Sequence, residues 1–198
     1  MNALDFRRKK AGGEKVSMTT CYDYWSARIL RETSIDAILV GDSAAMVMHG
    51  HPSTLPATTD LMVLHTEAVA RGAPEKFLIA DIPFLSFHKG LKPAMDTVEA
   101  LIQAGANAVK LEGIDGIEGV VERVVLAGVP VMGHLGLTPQ AVNRLGGFKV
   151  QGGSKESAAQ LADQVVHPRP PGTRCGRYDL HVPTETSIPL GVMPAANG

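Results

Sequence analysis

The chain has 198 residues, 44% hydrophobic and 20% charged, which suits one globular domain with a real core and is short for two. With 19 basic and 20 acidic residues the net charge is −1, which excludes the basic field that holds nucleic acid or an anionic membrane surface. No apolar run approaches the roughly 20 residues a membrane helix needs. The basic start at Arg7 to Lys10 is followed by no apolar core, so it is neither signal peptide nor anchor. Cys21 and Cys175 lie far apart and read as free thiols of a reducing compartment, so a cytoplasmic location is expected.

In chain order, the alternating, β-rich stretch from Lys15 to Thr20 predicts a first strand, leading to Cys21-Tyr22-Asp23. Trp25, Ile29 and Leu30 recur at helical spacing and predict a short amphipathic helix over 23–32. Ala37-Ile38-Leu39-Val40 is a short apolar run closed by Gly41, a buried strand that runs into Asp42 and Ser43. Met46 to Thr58 reads as a loop whose final Thr can cap a helix over 59–71, with Gly72 as its C′ stop.

The plan then repeats. Phe77 to Ala80 is a strand running into Asp81, and a helix over 93–104 buries Val98, Leu101 and Ile102 and stops at Gly105. Ala108 to Leu111 is a strand running into Glu112. Asp115 and Glu118 have capping-box spacing for a helix that ends before Gly128. Val129 to Met132 predicts a fifth strand, leading to His134, and Thr138-Pro139 has N-cap and N1 chemistry. Five βα units in alternation mean a parallel sheet, either a TIM barrel or an open doubly wound sheet. From 167 to 198 there are six prolines and no sustained apolar period, so the expected organisation is a partial (βα) barrel over 1–166 and an irregular or disordered tail over 167–198.

Four successive strands end in polar groups: Asp42, Asp81, Glu112 and His134. In a parallel sheet those ends lie on one side, where α/β folds hold their ligands. Two Asp and one Glu without cysteine form an all-oxygen set suited to Mg²⁺ or Mn²⁺ over Zn²⁺. Each carboxylate alone also reads as a helix cap, but three in succession favour a shared site. Lys110 lies two residues before Glu112, so strand alternation points both to one face, with Val109 and Leu111 towards the helices. It can pair with the carboxylates and neutralise a substrate's carboxylate, or reach solvent at the rim. Ser43 reads as a donor to a ligand oxygen or as an N-cap. His134 reads as an acid/base or structural histidine, and Tyr22 as a residue pointing into the same mouth. His49 and His51 form an HxH pair without a third ligand. Gly146-Gly147 and Gly152-Gly153 fit no phosphate loop.

These stretches resemble one family. Val40 to Ser43, Gly50 to Pro56, Ala80 to Phe84, Gly105 to Gly113, Gly133 to Gln140 and Gly146 to Gly152 are similar, in order, to signatures of the ketopantoate hydroxymethyltransferases, over about residues 15 to 165. The resemblance implies a TIM (βα)₈ barrel, usually a homo-decamer. It implies transfer of a hydroxymethyl group from 5,10-methylenetetrahydrofolate to 3-methyl-2-oxobutanoate, giving 2-dehydropantoate in pantothenate and coenzyme A synthesis. It places Mg²⁺ on Asp42, Asp81 and Glu112, and the keto acid on Asp42, Ser43, Asp81 and Lys110. The mechanism implied is a Mg²⁺-stabilised enolate.

The sequence departs from the family pattern after residue 165. The family's general base, a Glu in a Leu-Glu-Cys-Val-Pro-like sixth strand, has no match here, and Glu185 has no apolar strand before it. Strands six to eight are also unmatched, where such barrels typically have about 250 residues. The chain therefore reads as the first five-eighths of the enzyme with an unrelated tail, as a reading-frame shift near 165 would produce. Two readings follow: a hydroxymethyltransferase, or an inactive fragment that at most binds Mg²⁺ and keto acid. A third, a related metal-dependent lyase, is disfavoured by the His51–Pro56 loop.

Overall fold

The computed structural model describes residues 1–145, 147 and 152–159; the 167–198 tail, Glu185 and most of the 146–152 block lie outside the described residues. Its elements in chain order are α1 (Ala3–Ala11), β1 (Met18–Thr20), α2 (Tyr24–Arg31), β2 (Ala37–Val40), α3 (Ala44–Val47), α4 (Thr59–Gly72) and β3 (Phe77–Asp81). Then follow α5 (Leu91–Gln103), β4 (Ala108–Glu112), α6 (Glu118–Leu126), β5 (Val131–His134), a 3₁₀ turn (Pro139–Ala141) and α7 (Val142–Leu145). The five strands form one parallel sheet in the order β1-β2-β3-β4-β5, each joined to the next by helical crossovers. This is the expected barrel-type βα arrangement.

Strand alternation divides the core in two. Ile38, Val40, Leu78, Ala80, Val109, Leu111 and Val131 pack with the helices, including Met62, Val69, Val98, Leu101, Val121 and Val124. Ala37, Leu39, Phe77, Ile79, Ala108 and Met132 form the other face with Phe6. Continuing the same alternation puts Asp81, Lys110, Glu112 and His134 on that second face, at its carboxyl edge.

The unexpected first helix explains how the opposite edge is covered. Asn2 caps α1 by accepting from the Leu4 N–H, and Asp5 returns a bond by accepting from the Asn2 N–H at 2.8 Å. Only Phe6 of α1 is buried, set edge-to-face on Phe77 with centroids 4.9 Å apart. One buried residue in nine leaves no apolar period to read. Lys9 Nζ donates to Asp36 Oδ1 at 2.6 Å, and the Ser17 N–H and hydroxyl donate to Asp36 Oδ2, tying α1 and β1 to the start of β2.

Several local expectations are corrected. Trp25 and Ile29 are 68% and 52% exposed, and α2 buries Ala27 instead. The 46–58 stretch is not all loop, because α3 runs to Val47. Thr58 does cap α4, accepting from the Leu61 N–H, but Gly72 is the last helical residue and not a stop beyond it. It is needed for closeness: a Cβ there would lie 2.6 Å from Ala27 Cβ and 2.8 Å from the Tyr24 carbonyl oxygen of α2. Asp115 does not cap α6, whose N-cap position falls at Ile117; left-handed Gly113 and Gly116 hold the chain in a turn around it.

Two outcomes are expected. Gly72→Ala should lower unfolding stability by about 1–3 kcal/mol in urea titrations, since α2 must move away from α4. Burial raises the Asp36 carboxyl pKa, but the Lys9 and Ser17 hydrogen bonds outweigh it and hold the group below the usual carboxylate range. Its stabilising share is then present at neutral pH and lost as pH falls through that lowered pKa. Asp36→Asn should cost about 1–3 kcal/mol at pH 7 and flatten the acid limb of the stability curve.

Candidate active site

The carboxyl ends of β2, β3 and β4 bring Asp42, Asp81, Lys110 and Glu112 together, all buried. The parallel register makes the pairings: Asp81 lies beside Lys110, and Glu112 beside His134. Lys110 Nζ is 2.7 Å from Asp81 Oδ1 and 3.7 Å from Glu112 Oε1. The shorter contact is a charge-assisted pair in which the Lys110 ammonium donates to Asp81 Oδ1. Asp81 Oδ2 accepts from the Asp42 N–H at 3.1 Å. None of the three carboxylates caps the helix that follows its own strand.

Glu112 spends both oxygens. Oε1 accepts from His134 Nδ1 at 3.0 Å, and Oε2 accepts from the Gln140 N–H at 2.9 Å. It thereby caps the 3₁₀ turn, the role expected of Thr138, which makes no side-chain cap bond. The Gln140 side-chain Nε2 donates to Asp42 Oδ2 at 2.8 Å and to the Ile82 carbonyl at 3.0 Å.

Burial sets the electrostatics. It pushes the Asp42 carboxyl up to about 7, reinforced by Asp81 and opposed by Lys110. Asp81 is also raised, by burial first, against the pull of Lys110. Burial lifts Glu112 too, but the His134 hydrogen bond and Lys110 bring it below the usual range. For Lys110 burial works against the charged form, and the attraction of Asp81, Glu112 and Asp42 overcomes it. Three carboxylates against one ammonium leave the cluster two formal negative charges when all are ionised.

Ser43 occupies the N-cap position of α3 but makes no cap bond; its Oγ shares a 2.8 Å hydrogen bond with the Tyr22 hydroxyl. His49 does not work with His51. Its partner is His65 on α4, with the two Nε2 atoms 2.9 Å apart. His65 Nδ1 must donate to the Tyr22 carbonyl at 2.5 Å, so in the neutral pair His65 Nε2 accepts and His49 Nε2 donates. His65 and Gln140 were both missed from sequence, since an uncharged residue inside a helix or after a turn carries no pattern that marks its partner. A groove of about 500 Å³ lined by Glu67, Ala70, Arg71, Pro74, Gln103 and Ala104 lies around the end of α4, away from the cluster.

Fold and site together define a barrel protein of the enzyme type, its charged groups gathered at the carboxyl edge of the strands. Comparison with known proteins narrows this. The family model for ketopantoate hydroxymethyltransferase matches residues 1–173, and the chain belongs to that family. A 3-methyl-2-oxobutanoate hydroxymethyltransferase of Coxiella burnetii (strain Dugway 5J108-111) is 56% identical over 162 residues, 81% of this chain and 61% of the relative. The Bdellovibrio bacteriovorus enzyme of that name is 55% identical over 163 residues, 82% of this chain and 62% of the relative. The chain thus spans about three-fifths of the length of these curated relatives. Among solved structures, a phosphonopyruvate hydrolase complex with oxalate and Mg²⁺ gives a TM-score of 0.61 at 14% identity, covering 83% of this chain and 59% of that one. A 2,3-dimethylmalate lyase gives 0.57 at 19% identity, covering 82% and 59%. These likenesses concern the fold. Among the described residues, no helix is long and apolar enough to cross a membrane.

Lys110→Met should cost about 3–5 kcal/mol at pH 7.5, because it strands buried carboxylates without their cation. Groups raised in the folded state take up protons as pH falls, so part of the loss should return between pH 7.5 and 5.5. Urea midpoints at the two pH values check both.

Proposed function

We propose that this cluster is the keto-acid site of a hydroxymethyltransferase, taking 3-methyl-2-oxobutanoate with a divalent cation and, for turnover, 5,10-methylenetetrahydrofolate. The observation that carries the reading is the acceptor excess around Lys110: three buried carboxylates against one ammonium, and the buried Gln140 Oε1 without a hydrogen-bond donor. Buried acceptors of this kind call for a cation or a donor-bearing ligand. The names carried by the relatives agree with a keto acid as that ligand.

The donor set fits a hard divalent ion such as Mg²⁺, being all oxygen. Asp42 and Asp81 would hold it. Glu112, with both oxygens engaged, would act from one layer out, and among the described residues no three His, Cys, Asp or Glu groups form a ready metal array. Bound there, the ion would supply Lewis-acid polarisation of the keto group.

The remaining work belongs to side chains. Lys110 would attract the keto acid's carboxylate, because its ammonium is held charged at the barrel mouth. Ser43, steadied by Tyr22, offers a hydroxyl donor beside Asp42. His134, bonded through Nδ1, holds Glu112 ionised. No described residue is assigned the general base, and the family's sixth-strand Glu has no match in the sequence. That favours a second reading, keto-acid binding without turnover. Assembly into a homo-oligomer, as the family resemblance implies, belongs to the same proposal.

Calorimetry of 3-methyl-2-oxobutanoate binding with and without Mg²⁺ tests the site. Asp42→Ala and Asp81→Ala should each abolish the Mg²⁺-dependent affinity, and unchanged affinity in either rejects a shared site. Turnover with methylenetetrahydrofolate decides between the two readings.

A further inference from the structure

Gln140 carries more bonds into the cluster than any one of its carboxylates explains. It sits on the turn after β5, yet its side chain reaches the ends of β2 and β3, at Asp42 and Ile82, and its backbone N–H reaches Glu112 at the end of β4. The orientation of its amide is forced. The Ile82 carbonyl only accepts, so the nitrogen must face it, and the two N–H groups of Nε2 are both spent. Oε1 is left buried without a donor. A side chain kept for packing alone would not retain an amide in a place where one of its atoms is unsatisfied.

We propose that Gln140 is the positioning residue of this site: its amide fixes the Asp42 carboxylate for cation and keto-acid binding. This rests on the proposed function and adds a residue to it. Asp42 lies against Asp81, to which its backbone N–H donates at 3.1 Å, so without the Gln140 donor at 2.8 Å its carboxylate would be free to turn away from the like-charged neighbour. A neutral amide supplies that donor and adds no charge. The spare Oε1 is then an acceptor for a water or hydroxyl that enters with the ligands.

The test uses the full chain. Gln140→Met keeps the length of the side chain and removes both amide donors, while any residue here except proline keeps the backbone bond to Glu112. Mg²⁺-dependent affinity for 3-methyl-2-oxobutanoate should weaken roughly ten- to a hundredfold, the usual loss when a residue supporting a metal ligand is changed. Val121→Ala, a core truncation on α6, is the control for a purely structural effect: it should lower the unfolding temperature and leave that affinity alone. Equal affinity in the parent chain and Gln140→Met overturns this inference and leaves the proposed function standing. No Mg²⁺-dependent binding in the parent overturns both. Should the variant not fold, the parent decides through its ¹⁵N-labelled Gln140 side-chain amide. That NH₂ should exchange slowly with water, and exchange at the rate of an exposed glutamine overturns the inference.

Discussion

Burial of one ammonium among three carboxylates is the constraint on which the rest of the site depends. Lys110 is 7% exposed and stands between Asp81 and Glu112, with Asp42 close enough to add to its attraction. Taking such charges from water is costly, and the cost is offset only where partners are held in place. The sheet does the holding. Parallel register sets Asp81 beside Lys110 and Glu112 beside His134, and alternation turns all four to one face. The cluster still sets three carboxylates against one ammonium and leaves Gln140 Oε1 buried without a donor. That imbalance is what supports the proposed cation and keto-acid site.

Much of this was legible in the sequence because it follows from periodicity. A short apolar run followed by an acidic residue, repeated in register with helices, gives the strand ends Asp42, Asp81 and Glu112. A period of two gives Lys110 and Glu112 a common face. What periodicity does not give is which side chain across the sheet answers which. Gln140 lies 98 positions from Asp42, and nothing in Leu137-Thr138-Pro139-Gln140 marks its amide as a donor to that carboxylate. His65 likewise shows only as one position on a helix, and its bond to the Tyr22 carbonyl depends on how α4 packs. The His49 and His51 spacing likewise gives no sign that His49 pairs with His65 on α4.

Helix ends and outward faces are less legible in the sequence than the presence of a helix. Gly72 illustrates the cause: glycine marks both left-handed stops and close approaches, and only tertiary contact with α2 separates the two. Trp25 and Ile29 show the converse error, apolar residues at helical spacing that face outwards on α2. The first helix is set by its cap and a single aromatic plug, a combination too sparse for periodicity to register. Family membership rests on a family-model match over residues 1–173, which contains every residue of the described site.

The central claim is that the strand-end carboxylates and Lys110 form one site for a cation and a keto acid. Anomalous diffraction from crystals of the chain grown with Mn²⁺ and 3-methyl-2-oxobutanoate tests it most directly. One manganese peak is expected, bonded to the Asp42 and Asp81 carboxylates, with the keto acid's carboxylate turned towards Lys110. A peak elsewhere, or a keto acid bound away from Lys110, would contradict it.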